Sequence, residues 1–321
     1  KDSSSAWIFN FNGESWKPEA ELEPLDGTPG NGFGSSVSLD GSYALVGADT
    51  DSHRGPLSGT AYVFSAHEQT WAQTAKLRPL SETSREILQF GSSVSLDGTR
   101  ALVGAASSGA AYVYDFDGTA WMQTTELALP DDQIYVGSSV SLDGARALVG
   151  APNFDLSMDG KDHQTGAVWV SDFDGAAWAG MFRVAAPKGA AADHFGWSVS
   201  LDGDRALVGV PGDGDRALLG GAAYIFNFDG ANWVKATKLT ATDGAALEQF
   251  GFSVDLSGNR ALVGACCGLH GWRKQMSGAA YVFDFDGKNW KQAAKLTGPD
   301  SSADDKFGWS VSLDGSRALV G

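Results

Sequence analysis

Apolar and polar positions alternate along this chain in short runs that return in a fixed order. In FGSSVSLDGSYALVG from Phe33, Val37 and Leu39 alternate with Ser36 and Ser38, Asp40-Gly41 follows, and Ala44, Leu45 and Val46 form a second apolar run. Alternation predicts a strand buried on one face. An Asp-Gly pair between two such runs predicts a tight hairpin, because its central residues need positive φ. These are strands A and B. A second pattern follows, as in AYVYDFDGTAWMQTTEL from Ala111, where an aromatic-rich run, an Asp-Gly turn and a Trp-bearing run predict strands C and D. No long helical periodicity interrupts them.

The A-B pattern starts near Phe33, Phe90, Val136, Phe195, Phe250 and Phe307, and the C-D pattern at Ala6, Ala61, Ala111, Ala167, Ala223 and Ala280. Internal repetition at this period signals a repeat architecture. Four antiparallel strands per repeat are the blade of a β-propeller, so the expected fold is all-β, a single six-bladed propeller domain over 1–321. The chain opens on a C-D half and closes on an A-B half. Residues 1–24 are therefore expected to complete the last blade, which would leave no open strand edge.

The recurring FG, LVGA and aromatic C strand resemble the FG-GAP repeat family, which forms the propeller head of integrin α subunits and of bacterial FG-GAP-like proteins. The resemblance covers the whole chain and implies a propeller serving adhesion, ligand binding or scaffolding. Repeats of the integrin type often hold calcium in a loop between strands A and B. Here that loop has shrunk to Leu-Asp-Gly at Asp40, Asp97, Asp143, Asp202 and Asp314. One carboxylate cannot supply the six or more oxygens calcium takes. No cofactor is expected to be required, and calcium stays an open, unsupported alternative.

Most recurring residues have structural readings. Trp16, Trp71, Trp121, Trp178, Trp233 and Trp290 share one strand-D position and are expected to pack between blades. Arg100, Arg146, Arg205, Arg260 and Arg317 follow the A-B turn, with Tyr43 in the remaining slot, and are expected to pair with turn carboxylates or carbonyls. The C-D turns, such as Asp115-Phe-Asp117-Gly, open like an EF-hand but lack its later ligands. A local Asx bond is the simpler expectation. Serines of strand A would line a central channel.

A net charge of −16 disfavours nucleic acid and anionic lipid surfaces. No apolar run is long enough for a helix to span a membrane, and the start carries no apolar signal core. A mature chain or excised domain at the cell surface, in the periplasm or outside the cell is expected, with other domains of a larger chain as candidate partners.

Function is expected in the loops between strands B and C, which vary from AASSG at Ala105 to APNFDLSMDGKDHQTG at Ala151. Candidate ligand-binding residues are His53, Arg54, Asp155, Asp159, His163, His270, Trp272 and Arg273. Candidate metal ligands are Asp155, Asp159, Asp162, Asp213 and Asp215, with His163 as a nitrogen donor, in a spacing that matches no metal motif. Adjacent Cys266 and Cys267 are expected to form a vicinal disulfide if the chain meets an oxidising compartment. No catalytic constellation can be assembled from the five scattered histidines. The expected function is a non-enzymatic binding or adhesion propeller with a protein or glycan ligand. The alternative is a lectin-like module or the propeller of a larger secreted enzyme.

Overall fold

The computed structural model describes residues 5–28, 30–67, 70–80, 88–128, 136–153, 165–184, 193–215, 217–244, 246–266, 277–298, 302 and 305–321. Among the described residues it is all-β apart from one turn of 3-10 helix, Ala106–Ser108. The A-B-C-D order predicted by the alternation is the hydrogen-bonded order of every four-stranded sheet.

Strands β1 (Ala6–Phe11) and β2 (Trp16–Leu22) form a two-stranded sheet. The first four-stranded sheet runs β3 (Phe33–Asp40), β4 (Tyr43–Ala48), β5 (Thr60–His67) and β6 (Thr70–Leu77), and the second β7 (Phe90–Asp97), β8 (Arg100–Ala105), β9 (Ala110–Phe116) and β10 (Trp121–Ala128). The third contains β11 (Ser139–Asp143), β12 (Arg146–Ala151), β13 (Ala167–Asp172) and β14 (Phe182–Val184). The fourth contains β15 (Val199–Asp202), β16 (Arg205–Val210), β17 (Ala222–Phe228) and β18 (Trp233–Leu239). The fifth contains β19 (Ser253–Ser257), β20 (Arg260–Ala265), β21 (Ala279–Phe285) and β22 (Trp290–Leu296), and the chain ends in the pair β23 (Val311–Asp314) and β24 (Arg317–Val320). The chain divides into two compact units, 1–147 with 171–181 and 148–170 with 182–321.

In the first unit the recurring signature has a direct steric cause. A Cβ on Gly47 would lie 2.0 Å from the carbonyl oxygen of Gly91, so the LVGA glycine admits the backbone of the next repeat. The Ser36 hydroxyl donates to that same oxygen at 2.8 Å. Ser93 repeats the bond to Gly137 at 2.9 Å. Phe33 and Phe90 of the FG pairs are buried, edge or tilted, against Tyr62 and Phe64 and against Tyr112 and Tyr114. Serines of strand A work laterally: Ser38 accepts from the Leu96 amide and Ser95 from the Leu142 amide, each at 3.0 Å. The turn acids do the same, Asp40 accepting from the Gly98 amide and Asp97 from Gly144.

The second unit repeats this frame. Ser198 and Ser253 donate to the Gly251 and Gly308 carbonyls at 3.0 and 2.9 Å. Asp202 accepts from the Gly258 amide. At one strand-A position an acid replaces the serine: Asp255 accepts from Ser200 and from the Leu313 amide, and burial raises its pKa.

The arginines pair as expected. Arg100 Nε donates to Asp115 at 2.6 Å and its Nη1 to the Gly144 carbonyl, while its guanidinium lies over Phe173 and Trp178. Arg260 bonds Asp284 and the Gly315 carbonyl, and Arg205, which faces Asn227 across the sheet, bonds Gly258 and Asn259 instead. Tyr43 keeps the stacking part of the role, meeting Trp121 edge-on at 5.6 Å.

In the C-D turns the second acid caps the turn. The first meets the arginine at Asp115, Asp172 and Asp284. Asp117, Asp174, Asp229 and Asp286 each accept from the amides two and three residues on. These bonds lower all four pKa values, with the Thr119 hydroxyl leading at Asp117 and Lys291 leading at Asp286, which falls to about 2.

At the chain ends β1-β2 and β23-β24 are each a two-stranded sheet, and one expectation there needs correction. Their side chains show what a complete sheet covers: Trp7 and Phe9 are 50% and 51% exposed where Tyr62 and Phe64 are buried, and Leu319 is 75% exposed where Leu45 is buried. Trp16, expected to pack between blades, is 59% exposed and stacks on Phe11 at 5.4 Å. Where such a Trp is covered, the residue after the A-B turn of the preceding repeat does it, as Tyr43 on Trp121 and Arg205 over Trp290. Trp121 is buried, and Trp71, Trp178, Trp233 and Trp290 are partly buried.

Candidate functional site

Just beyond strand B, the B-C connection turns back through an acid. Asp51 donates its amide to Ala48 at 3.1 Å and receives the Gly59 amide at 2.8 Å, so the loop is pinched shut at its base. Its carboxylate points inward and is fully buried. Oδ1 accepts from the His53 amide at 2.9 Å and contacts the imidazole Nδ1 at 2.5 Å; Oδ2 accepts from the Tyr62 hydroxyl at 3.2 Å. Lys76 Nζ stands 3.4 Å from Asp51 and 2.6 Å from Asp26, which lies between β2 and β3.

Period-two geometry explains the convergence. Tyr62 of β5 and Lys76 of β6 are register partners, so their side chains leave one face of the sheet together. The ammonium sits 4.9 Å from the tyrosine ring centre. Burial alone would raise the Asp51 pKa, yet the backbone and side-chain bonds from His53 and the charge of Lys76 hold it well below the usual carboxylate range. Burial and the two acids push Tyr62 upward. Tyr62 is thus a neutral donor, and Lys76 bridges the two acids. The His53 side chain is 33% exposed and its Nδ1 is committed to Asp51. Arg54 makes one long bond, 3.5 Å, to the Pro79 carbonyl.

The second unit builds the same base from different loop residues. Asp213 donates its amide to Val210, receives the Gly221 amide at 2.9 Å and accepts from the Asp215 amide at 3.1 Å. Tyr224 and Lys238 occupy the paired positions on β17 and β18. Lys238 Nζ lies 2.6 Å from Asp213 and 2.8 Å from Asp215. Burial would lower the lysine pKa, but the two acids raise it. Asp213 and Asp215 therefore converge on an ammonium. Among the described residues no group of three or more His, Cys, Asp or Glu is placed to hold a metal ion. A third Tyr-Lys pair, Tyr281 and Lys295, takes Asp243 at 2.7 Å, and burial pushes Tyr281 up to about 12.

Sequence reasoning named His53, Arg54, Asp213 and Asp215 but missed Tyr62, Lys76, Tyr224 and Lys238. The signal was there: a Tyr two residues into strand C recurs with a Lys one residue before the final Leu of strand D. Cys266 is buried. Asp155, Asp159, Asp162, His163, Cys267, His270, Trp272 and Arg273 lie outside the described residues.

D51N is expected to cost about 1–3 kcal/mol, the penalty of a mismatched buried bonding group. Because the folded-state pKa of Asp51 is depressed, its stabilisation is present above the unfolded value, about 3.9, and is lost as pH falls below it. Urea titrations from pH 7 to pH 3 should show a shallower acid limb for D51N than for the unmodified chain. Parallel limbs would show that Asp51 does not carry the acid sensitivity.

A family model described as FG-GAP repeat matches residues 16–64, 178–226, 233–283 and 290–321, more than half of the chain. No curated protein sequence matches. Among solved structures the chain is similar to hydrazine synthase of Kuenenia stuttgartiensis, with a TM-score of 0.59, 13% identity, and coverage of 93% of this chain and 76% of that one. It is also similar to a chain of the nidogen/laminin complex, with a TM-score of 0.51, 9% identity, and coverage of 94% and 93%. At these identities the likeness concerns the fold alone.

Proposed function

The chain belongs to the FG-GAP repeat family, and on that premise we propose that it is a non-enzymatic binding or adhesion β-propeller whose ligand, a protein or a glycan, is held by the loops of one face. The observation that carries this reading is a contrast. Strands, turn acids, arginines and Tyr-Lys pairs recur from repeat to repeat, while the B-C connections they root change in length and chemistry. A rigid frame with diverging loops is how binding surfaces are built on repeat folds. No cofactor is required in this reading, and the chain works at the cell surface, in the periplasm or outside the cell.

In the same proposal β23-β24 and β1-β2 complete each other as the last blade. The exposed flanks of Trp7, Phe9 and Leu319 are what such pairing would cover. A carbohydrate-binding module is the second reading, favoured by the half-exposed ring of Trp309.

A glycan array with and without calcium, run beside capture of protein partners, tests the proposal. Saturable binding to one class of glycan or protein is expected, unchanged by a chelator. Silence in both assays, or turnover of a substrate by the purified chain, would overturn it.

A further inference from the structure

The position directly after the FG pair divides the repeats into two kinds. Ser35, Ser92 and Ser138 occupy it in the first three repeats; Trp197, Phe252 and Trp309 occupy it in the last three. The backbone is the same in both kinds. Ser35 and Ser92 donate their amides to the carbonyls of Gly32 and Gln89, three residues back, and Trp197, Phe252 and Trp309 donate to those of His194, Gln249 and Lys306. A serine satisfies this turn, so the turn does not call for a large ring.

Within the second compact unit the three rings form a row. Trp197 and Phe252 have ring centres 5.4 Å apart, and Phe252 and Trp309 4.8 Å, with each pair tilted by 47°. Trp197 is 37% and Trp309 50% exposed. An exposed row of aromatic rings on adjacent repeats is a surface that fits a partner.

Polar side chains accompany the row at a backbone cost. His194, Gln249 and Lys306 have φ of 57°, 52° and 56°, the left-handed region that Gln89 of a serine repeat also adopts at 57° and where the first repeat uses Gly32. Holding a non-glycine residue there costs on the order of 1 kcal/mol. Two of these side chains flank their rings: the His194 imidazole meets Trp197 at 5.9 Å while its Nδ1 contacts Asn153, and Lys306 Nζ lies 5.0 Å from the Trp309 ring centre.

We propose that the Trp197, Phe252 and Trp309 row, with His194, Gln249 and Lys306 beside it, is a binding strip for a neutral, chain-like oligosaccharide. The inference rests on the binding reading above and names the site and ligand class. A sugar ring has an apolar C–H face and a rim of hydroxyls that both donate and accept. Three rings, each with a polar side chain three residues before it, match that alternation unit by unit. The polar set mixes an imidazole, an amide and an ammonium, so it both donates and accepts. A proline-rich peptide offers mostly carbonyl acceptors, because proline lacks the N–H donor, and matches that set less well. The net charge of −16 weighs against a polyanionic chain.

Electrophoresis in native gels containing soluble β-glucan, xylan or mannan, with polygalacturonate and a proline-rich peptide as controls, tests the strip. At least one neutral polysaccharide should retard the chain. W197S/F252S/W309S, which installs the residue of the first three repeats, should weaken retardation tenfold or more while melting stays cooperative; W309S alone should weaken it measurably. Retardation by none of the neutral polymers, binding only to polygalacturonate or to the peptide, or equal retardation of the variants would overturn the proposal. A ligand from the array or the capture assay that survives the triple change would sink the strip and leave the loop-face reading standing. Silence there as well would sink both.

Discussion

Deleting residues 1–24 is expected to lower the unfolding free energy by about 3–6 kcal/mol, because Ile8 and Leu22 are both buried and each such side chain is worth about 1.5–3 kcal/mol. Both lie in one cluster with Phe33, Tyr62 and Phe64, so their loss also leaves these rings facing a void. The bond from Trp71 Nε1 to Glu19, 2.8 Å, goes with them. If the end pairs complete each other, the deletion further strips the partner from β24, whose residues 317–319 are already exposed. Urea unfolding followed by circular dichroism reads the outcome. A truncated chain that kept its midpoint would show that β1-β2 is an appendage.

Trp121→Ala should cost about 3–5 kcal/mol, the range for truncating a large buried aromatic, whereas Trp16→Ala should cost under about 1 kcal/mol, as surface changes do. The two tryptophans share one position in the repeat pattern, so the difference isolates packing from sequence. Trp121 is held between Phe116 at 5.6 Å and the edge contact of Tyr43. Trp16 has Phe11 and solvent. Equal losses at both positions would mean that Trp16 is covered in solution, which is itself the signature of a completed last blade.

Much of this molecule was legible in its sequence because the frame is local. Alternation placed Val37 and Leu39 on one face of a strand, which in β3 is exposed while the matching Leu96 of β7 is buried, and Asp40-Gly41 marked the turn that the repeat carries forward. Pairing of Arg100 with Asp115 was legible too, because the two face each other in register on adjacent strands. What could not be read lies between repeats. That the Ser38 hydroxyl receives the Leu96 amide, or that Gly47 is small for the sake of the Gly91 carbonyl, depends on how neighbouring sheets are staggered. No periodicity within a repeat encodes that stagger.

The candidate site divides in the same way. His53 and Asp215 were chosen as loop residues with ligand chemistry, but the acids they bond, Asp51 and Asp213, take their other partners from the strands that follow: Tyr62 and Lys76 for Asp51, Tyr224 and Lys238 for Asp213. A lysine in strand D looks like a solvated surface charge until the sheet register sets it beside a tyrosine and over a buried acid. The switch from serine to aromatic after FG was visible in the sequence, yet it gains meaning only once Trp197, Phe252 and Trp309 are seen in one row.

Native-state hydrogen exchange of the monomer tests the closed scaffold most directly, at the amides of Ala6–Phe11 and Arg317–Val320. An edge strand leaves alternate amides to water, while a strand paired on both sides protects them. If the end pairs complete one blade, these amides should exchange as slowly as those of Thr60–His67 and Tyr43–Ala48, their equivalents in a complete sheet. Exchange of every second amide at the rate of an exposed turn would contradict it.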